Sequence, residues 1–245
     1  MADPSAAERG PGTPSSAAVG RAIAAAVNEA PSRRNENVVL LMFSGGLDSS
    51  ALLANLLEHT DDRVHAHHVA LHNPHGRGDA EQVATDAVVA WCREHHRHFE
   101  FSQSVHRFML PAGGGWDTTL FLFAAARVCT ALGGLVNLVA TGHIRPAYRH
   151  LLEAEAVFHA CMTNKRRRPT WIRPFTHLPG TMGEAKAVVE ASIPAELAAL
   201  TWWCRRPVVS GDGWAVCGEC HACRNMAAAG AADPAGGRAR TGPIP

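Results

Sequence analysis

No stretch of the 245-residue chain approaches the roughly 18 consecutive apolar residues of a membrane span. The amino terminus has neither the basic start nor the apolar core of a secretory signal. A cytoplasmic address without a membrane partner is therefore expected. Charge of one sign is also lacking: 23 Lys and Arg stand against 22 Asp and Glu, so nothing global predicts nucleic-acid binding. The cysteines give little sign of a disulfide framework, being odd in number at seven and unevenly placed, three scattered and four within residues 204–223. That distribution suits metal binding in a reducing compartment. The length fits one compact domain with tails. Residues 1–35 and 227–245, rich in Ala, Pro, Gly and Ser or Arg, read as a disordered leader and tail, with a short helix over Ser16–Asn28 as the exception. Between them, 36–200 reads as the main domain and 201–226 as a metal-binding segment.

What is present is organised around Val38 to Ser50. Six apolar residues, Val38 to Phe43, read as a strand buried on both faces of a parallel sheet, and they stop at Ser44-Gly45-Gly46-Leu47-Asp48-Ser49. Glycines there let the backbone turn with its N–H groups towards an anion. Asp48, Ser49 and Ser50 then open a helix, Ala51 to His59, whose positive end favours phosphate. A Walker loop's lysine is missing. Ser-Gly-Gly-x-Asp-Ser after a strand resembles the PP-loop of the ATP pyrophosphatase superfamily, which cleaves ATP between the α and β phosphates and adenylates a substrate. An ordinary capped corner is the alternative, and the full hexapeptide in this setting favours the loop.

The alternation of strand and helix continues along the chain. Arg63–Leu71 reads as a second strand ending in a Pro- and Gly-containing loop at its carboxyl end, where open parallel sheets bind ligands. Asp79–His96 reads as a helix, His98–Phe101 as a short strand, and Thr118–Leu132 as a helix capped by Asp117. Eight histidines fall between His65 and His98, but their irregular spacing assigns them to packing and solvent, not metal. Leu135–Ala140 is the fourth strand, ending in Thr141-Gly142-His143, and Arg145–Cys161 can form another helix. The cations Lys165 to Arg168 read as a solvated loop, with RNA or an anionic partner as the other reading. Met182 to Lys186 begins a later helix.

The second motif is Cys204-x12-Cys217-x2-Cys220-x2-Cys223-Arg224. The last three thiolates can wrap one ion in a tight knuckle while Cys204 adds a fourth. Zinc favours such a closed tetrahedral shell, which leaves no place for activated water and makes the ion structural; an iron–sulfur cluster is the competing occupant.

The loop, the Thr-Gly turn, the late lysine and the cysteine pattern together resemble the 7-cyano-7-deazaguanine synthase family, QueC, from about Val38 to Asn225. The resemblance implies a Rossmann-like parallel sheet flanked by helices with a small carboxyl-terminal zinc-binding segment, and a homodimer. It implies that ATP is held by Phe43, Ser44, Gly45, Gly46, Leu47, Asp48, Ser49, Ser50, Leu71, Gly142 and Lys186, with Leu71 near adenine. Asp48 would contact Mg2+ and Lys186 the released phosphates, and these two are the catalytic candidates. The family activates 7-carboxy-7-deazaguanine, adds ammonia to give the amide, and activates again to form the nitrile. This chain departs from the family around Trp116–Thr118 and Arg145–Arg149. A pair such as Arg145 and Arg149 could hold a carboxylate. Three functions follow: the QueC reaction; adenylation with another acceptor, either a protein amine, as suits antiphage relatives, or RNA in a thiolation; or a non-catalytic nucleotide and zinc module. No glutaminase segment is apparent, so nitrogen would come from free ammonia or a partner's amine.

Overall fold

Val38–Phe43 forms strand β1 with every residue buried, and it does so because both of its neighbours in the sheet and both of its faces are covered. The computed structural model describes residues 15–29, 38–72, 76–107, 116–144, 149–162, 169–178, 180–211, 213–228 and 240–241. Five strands, β1, β2 (Arg63–His72), β3 (Glu100–Arg107), β4 (Val136–Ala140) and β5 (Thr170–Ile172), form one sheet in the order β3-β2-β1-β4-β5. All of its pairings are parallel. The protein is thus an α/β fold with a parallel sheet flanked by helices. The chain leaves β1 towards β2 on one side, while β4 pairs on the other, so the order reverses at β1. Such a reversal opens a crevice at the carboxyl ends of the strands.

The alternation of side chains along β1 divides the core. Val39, Leu41 and Phe43 face a layer containing helix α2 (Leu47–His59), with α1 (Ser16–Asn28), α3 (Arg77–His95), α6 (Met182–Ala191) and α7 (Ala195–Leu200). Val38, Leu40 and Met42 face α4 (Trp116–Ala131) and α5 (Arg149–Cys161). Because α1 and α6 cover the outer side of α2, residues from Leu47 to Leu57 are buried almost all round that helix. Val19, Ile23 and Val27 of α1 are fully within this core. The folded unit therefore includes the Ser16–Asn28 helix, which composition alone placed in a leader. The remainder of that leader, 1–14 and 30–35, lies outside the described residues. So do the cations 165–168.

Several boundaries differ from the sequence reading. Helix α2 begins at Leu47 with Gly46 as its N-cap, which places Asp48 in the first turn and gives it no capping bond. Strand β3 runs to Arg107, well beyond Phe101, because its serines and histidines are paid out as hydrogen bonds to β2. His65 lies between Glu100 (3.2 Å) and Ser102 (2.6 Å), and His67 between Ser102 (2.8 Å) and Ser104 (3.0 Å). His106 Nε2 is 3.2 Å from the Ser104 hydroxyl. One set of neutral tautomers satisfies the whole chain, with each ring donating towards Glu100 and accepting from the serine on its other side.

The carboxyl-terminal part forms a second, smaller sheet of three strands: β6 (Val208–Ser210), β7 (Gly213–Ala215) and β8 (Arg240–Thr241), ordered β6-β7-β8 and antiparallel. Two residues of the stretch assigned to the tail thus complete a sheet. Helix α8 (His221–Ala228) carries the last of the cysteines, Cys223, in its first turn. A separate apolar cluster of Ala80, Ala84, Trp202, Cys204, Trp214, Val216, Cys220 and Cys223 docks this segment on α3.

The histidine chain makes stability depend on pH. Burial, then the neighbouring His65, lowers the His67 pKa from its ordinary 6.5 to about 4, and burial also lowers that of His68. An unfolded chain takes up these protons below 6.5, whereas the folded one resists, so stability present at neutral pH is lost as pH falls through this window. The urea midpoint should decline progressively from about pH 6.5 to about pH 4, and less steeply in His67→Gln. Parallel curves for the two proteins would refute this.

Candidate active site

The loop after β1 owes its shape to contacts on both sides. Gly45 adopts φ +68°, and a Cβ there would lie 2.6 Å from the Thr85 hydroxyl and 2.9 Å from its backbone nitrogen, so only glycine fits. Ser49 Oγ donates to the Gly46 carbonyl (3.1 Å) and receives the Ser44 N–H (3.2 Å), closing the loop on itself. The Ser44 hydroxyl lies 3.1 Å from the same oxygen. Under the loop, buried His68 is 3.0 Å from the Phe43 carbonyl. From the other side, the Trp202 N–H donates to the Gly45 carbonyl at 3.0 Å.

Beside it, the turn after β4 presses on the start of α2. A Cβ on Gly142 would come within 2.7 Å of the Asp48 carbonyl carbon, so this turn and the loop are one packed unit. Lys186 of α6 reaches the same place, and its ammonium binds both carboxylate oxygens of Asp48, one at 2.5 Å. The capping box of Thr181 and Glu184 sets where α6 starts and hence where that lysine emerges.

These groups line one end of a cavity of about 410 Å³. Ser44, Asp48, Ser49, Gly142 and Lys186 are in its wall. Phe43, Gly45, Gly46, Leu47 and Ser50 belong to the same loop and its flanks but not to this lining, and the Leu71 side chain is buried under α4 in the apolar layer. Arg145 lies outside the described residues, and Arg149 begins α5.

Sequence reasoning missed other residues of the lining. Arg77, Thr118, His143, Trp203 and Arg205 belong to it, together with His221 and Asn225 of α8. Asp117, expected as a cap, lies in the first turn of α4, and its Oδ2 receives Arg77 at 2.5 Å and Arg205 at 3.2 Å. Arg77 also donates to Glu81 at 2.6 Å. Burial would lower the Arg77 pKa, but the Glu81 and Asp117 carboxylates outweigh it and raise the value. The pair of arginines likewise holds Asp117 low against the opposing effect of burial. On the floor, Thr141 Oγ1 accepts from Trp171 Nε1 at 2.9 Å and lies 2.8 Å from His143 Nδ1, whose other nitrogen is 3.3 Å from the Thr118 hydroxyl.

The four cysteines meet next to this wall. Their sulfurs all lie within 4.8 Å of one another, with Cys217 and Cys223 at 4.0 Å and Cys220 and Cys223 at 3.4 Å. Zinc–sulfur bonds of about 2.3 Å in a tetrahedron set sulfurs roughly 3.8 Å apart, so the residues present fit a four-thiolate ion. The Cys217 N–H donates to Cys204 Sγ at 3.3 Å and the Cys220 N–H to Cys217 Sγ at 3.3 Å. Such bonds favour thiolates. Cys220 ionises first: the hydrogen bond from Cys204 lowers its pKa and raises that of Cys204.

Comparison with known proteins agrees with the loop end of the site. Residues 18–106, from α1 to β3, match the family model described as asparagine synthase. No curated protein matches the chain. Among solved structures, the U34-tRNA thiolase NcsA from Methanococcus maripaludis, with its [4Fe-4S] cluster, is similar at 15% identity and a TM-score of 0.44. The match covers 71% of this chain and 62% of that one, so the chain spans about three-fifths of the thiolase's length. No helix among the described residues is long and apolar enough to cross a membrane.

Metal analysis of the purified protein should find about one zinc per chain. Cys220→Ser should lose it, with a loss of stability on the order of 5 kcal/mol. Iron and sulfide in place of zinc, or a Cys220→Ser protein as stable as the parent, would contradict this.

Proposed function

We propose that the protein is an ATP-dependent adenylating enzyme that activates a carboxylate, with 7-carboxy-7-deazaguanine as the acid and ammonia as the nitrogen donor, in the manner of QueC. The observation that carries this reading is the joining of Asp48 and Lys186 at the mouth of a glycine-turned loop. Among the described residues lining the cavity, Asp48 is the one carboxylate, while Arg77, Lys186 and Arg205 are cations. The Asp48–Lys186 pair suits a polyanion that brings a divalent cation with it, and the arginines leave positive charge for an anionic second substrate.

ATP would part the pair, with Lys186 turning to the β and γ phosphates and Asp48 taking a share of Mg2+. Mg2+ supplies charge neutralisation on the phosphate oxygens when bound. Held apart, the same two residues fix the direction of departure for pyrophosphate, and the positive end of α2 faces the charge that develops there. A carboxylate oxygen of the substrate attacks the α-phosphorus, and the bond from that phosphorus to the bridging oxygen of the β-phosphate breaks. Pyrophosphate leaves. Ammonia then attacks the acyl carbon, AMP departs, and one proton is released to give the amide. Activation of the amide oxygen by a second ATP, followed by loss of AMP and two protons, gives the nitrile.

The cysteine site takes no part in these steps, since four thiolates fill a tetrahedral shell; zinc there would be structural. With a different acceptor the attack on the α-phosphorus and the departure of pyrophosphate stay the same: a protein amine would meet the same acyl adenylate, whereas in RNA a base carbonyl oxygen would be adenylated in place of the carboxylate. A homodimer and a cytoplasmic address belong to the same proposal.

Asp48→Asn tests it directly. With Mg2+, ATP and 7-carboxy-7-deazaguanine, pyrophosphate release should fall by about 100-fold, with the melting temperature close to that of the parent. Parental turnover in the variant would remove Asp48 from the mechanism, and no ATP-dependent change in the acid would exclude this substrate.

A further inference from the structure

The loop, the Thr-Gly turn and α6 supply part of the cavity wall, and the cysteine segment supplies another part. Trp203 and Arg205 flank the ligand residue Cys204, and His221 and Asn225 flank Cys223. A closed metal site would seem remote from chemistry. Its sulfurs nonetheless fix this wall: the Arg205 N–H donates to Cys220 Sγ at 3.5 Å, and the next bond in the knuckle joins Cys217 to Cys204.

The two arginines on Asp117 differ in a way that assigns them different roles. Arg77 has 9% of its side chain exposed and is held between Glu81 and Asp117. It is a fixed part of the wall. Arg205 has 48% exposed and holds Asp117 by the longer contact, 3.2 Å against 2.5 Å, on an oxygen that Arg77 already occupies. A guanidinium has five donors in a planar fork matched to a carboxylate. Arg205 can thus turn its outer edge to a ligand while Asp117 steadies the inner one. Phe121 and Trp203 supply aromatic surface in the same cavity, which suits a flat ring carrying the acid.

We propose that Arg205 binds the carboxylate of a planar heteroaromatic acceptor, so that the cysteine knuckle forms the acceptor wall of the site. This rests on the adenylating reading above and deepens it. Once the acid is adenylated its negative charge is gone, so Arg205 holds the reactant more tightly than the acyl adenylate or the amide. It is a specificity residue, acting on the acid and not on the nucleotide.

Calorimetric titration separates this proposal from the reading under it. The protein with its metal is titrated with α,β-methylene-ATP and Mg2+, and the nucleotide complex is then titrated with 7-carboxy-7-deazaguanine or its neutral amide. In Arg205→Ala the dissociation constant for the acid should rise about tenfold or more, with those for the nucleotide and the amide within about twofold and the metal content unchanged. Arg205→Gln, which keeps the length of the side chain, serves if the alanine variant does not fold. Unchanged affinity for the acid, equal losses for acid and amide, or a parent that binds nucleotide but not the acid would each overturn the proposal. A parent that fails to bind the nucleotide would overturn the adenylating reading instead.

Discussion

The position of β1 between β2 and β4 is the constraint from which the rest of the structure follows. Parallel neighbours on both sides and helices on both faces exclude water from its backbone, so its apolar residues have no alternative to the sheet. The chain can emerge only at the carboxyl edge, where the reversal of strand order has already opened a crevice. Gly142 then brings the turn after β4 onto the start of α2, and Gly45 brings the loop onto α3 at Thr85. A side chain at Gly142 would push its turn off Asp48, and one at Gly45 would push the loop off Thr85. Polar groups at this edge are consequently held to a common geometry by two close backbone approaches.

Electrostatics orders the cavity by the same logic. Lys186 and Asp48 bind each other, a contact that ATP and its Mg2+ would replace on the reading proposed above. Asp117 and Glu81 pair with arginines of the lining. Surface ion pairs contribute little to stability. Here their importance lies in orientation, because one oxygen of Asp117 holds two guanidiniums.

The parts legible in the sequence are those in which the signal is local. Six apolar residues before Ser44 could only be a buried strand, and three cysteines at two-residue separations bring their sulfurs together by chain geometry alone. Other parts needed contacts over distance. Arg77 and Arg205 meet Asp117 from 40 and 88 residues away, and each looks like an ordinary charged residue in its own segment. The only local hint was that Arg205 follows a candidate metal ligand. The strand at Glu100–Arg107 was read short because its Ser and His residues suggest a loop until their partners on β2 are known. The Ala-rich helix at Ser16–Asn28 has the composition of a leader, and only the apolar flank of α2 shows why Val19, Ile23 and Val27 are buried. The Leu71 side chain lies in the layer under α4, and the contact with adenine that the resemblance implies concerns the backbone near Val69 to Leu71.

The backbone bond from Trp202 to the Gly45 carbonyl joins an early part of the chain to a late one. During synthesis on the ribosome, the sheet strands and the phosphate loop would emerge well before residues 202–226. A nascent chain would therefore possess the Ser44–Ser49 loop before it possesses the segment that braces it through Trp202. The loop would reach its final shape only on a chain made beyond Trp202, so that a truncated product would keep the sheet and lose the brace.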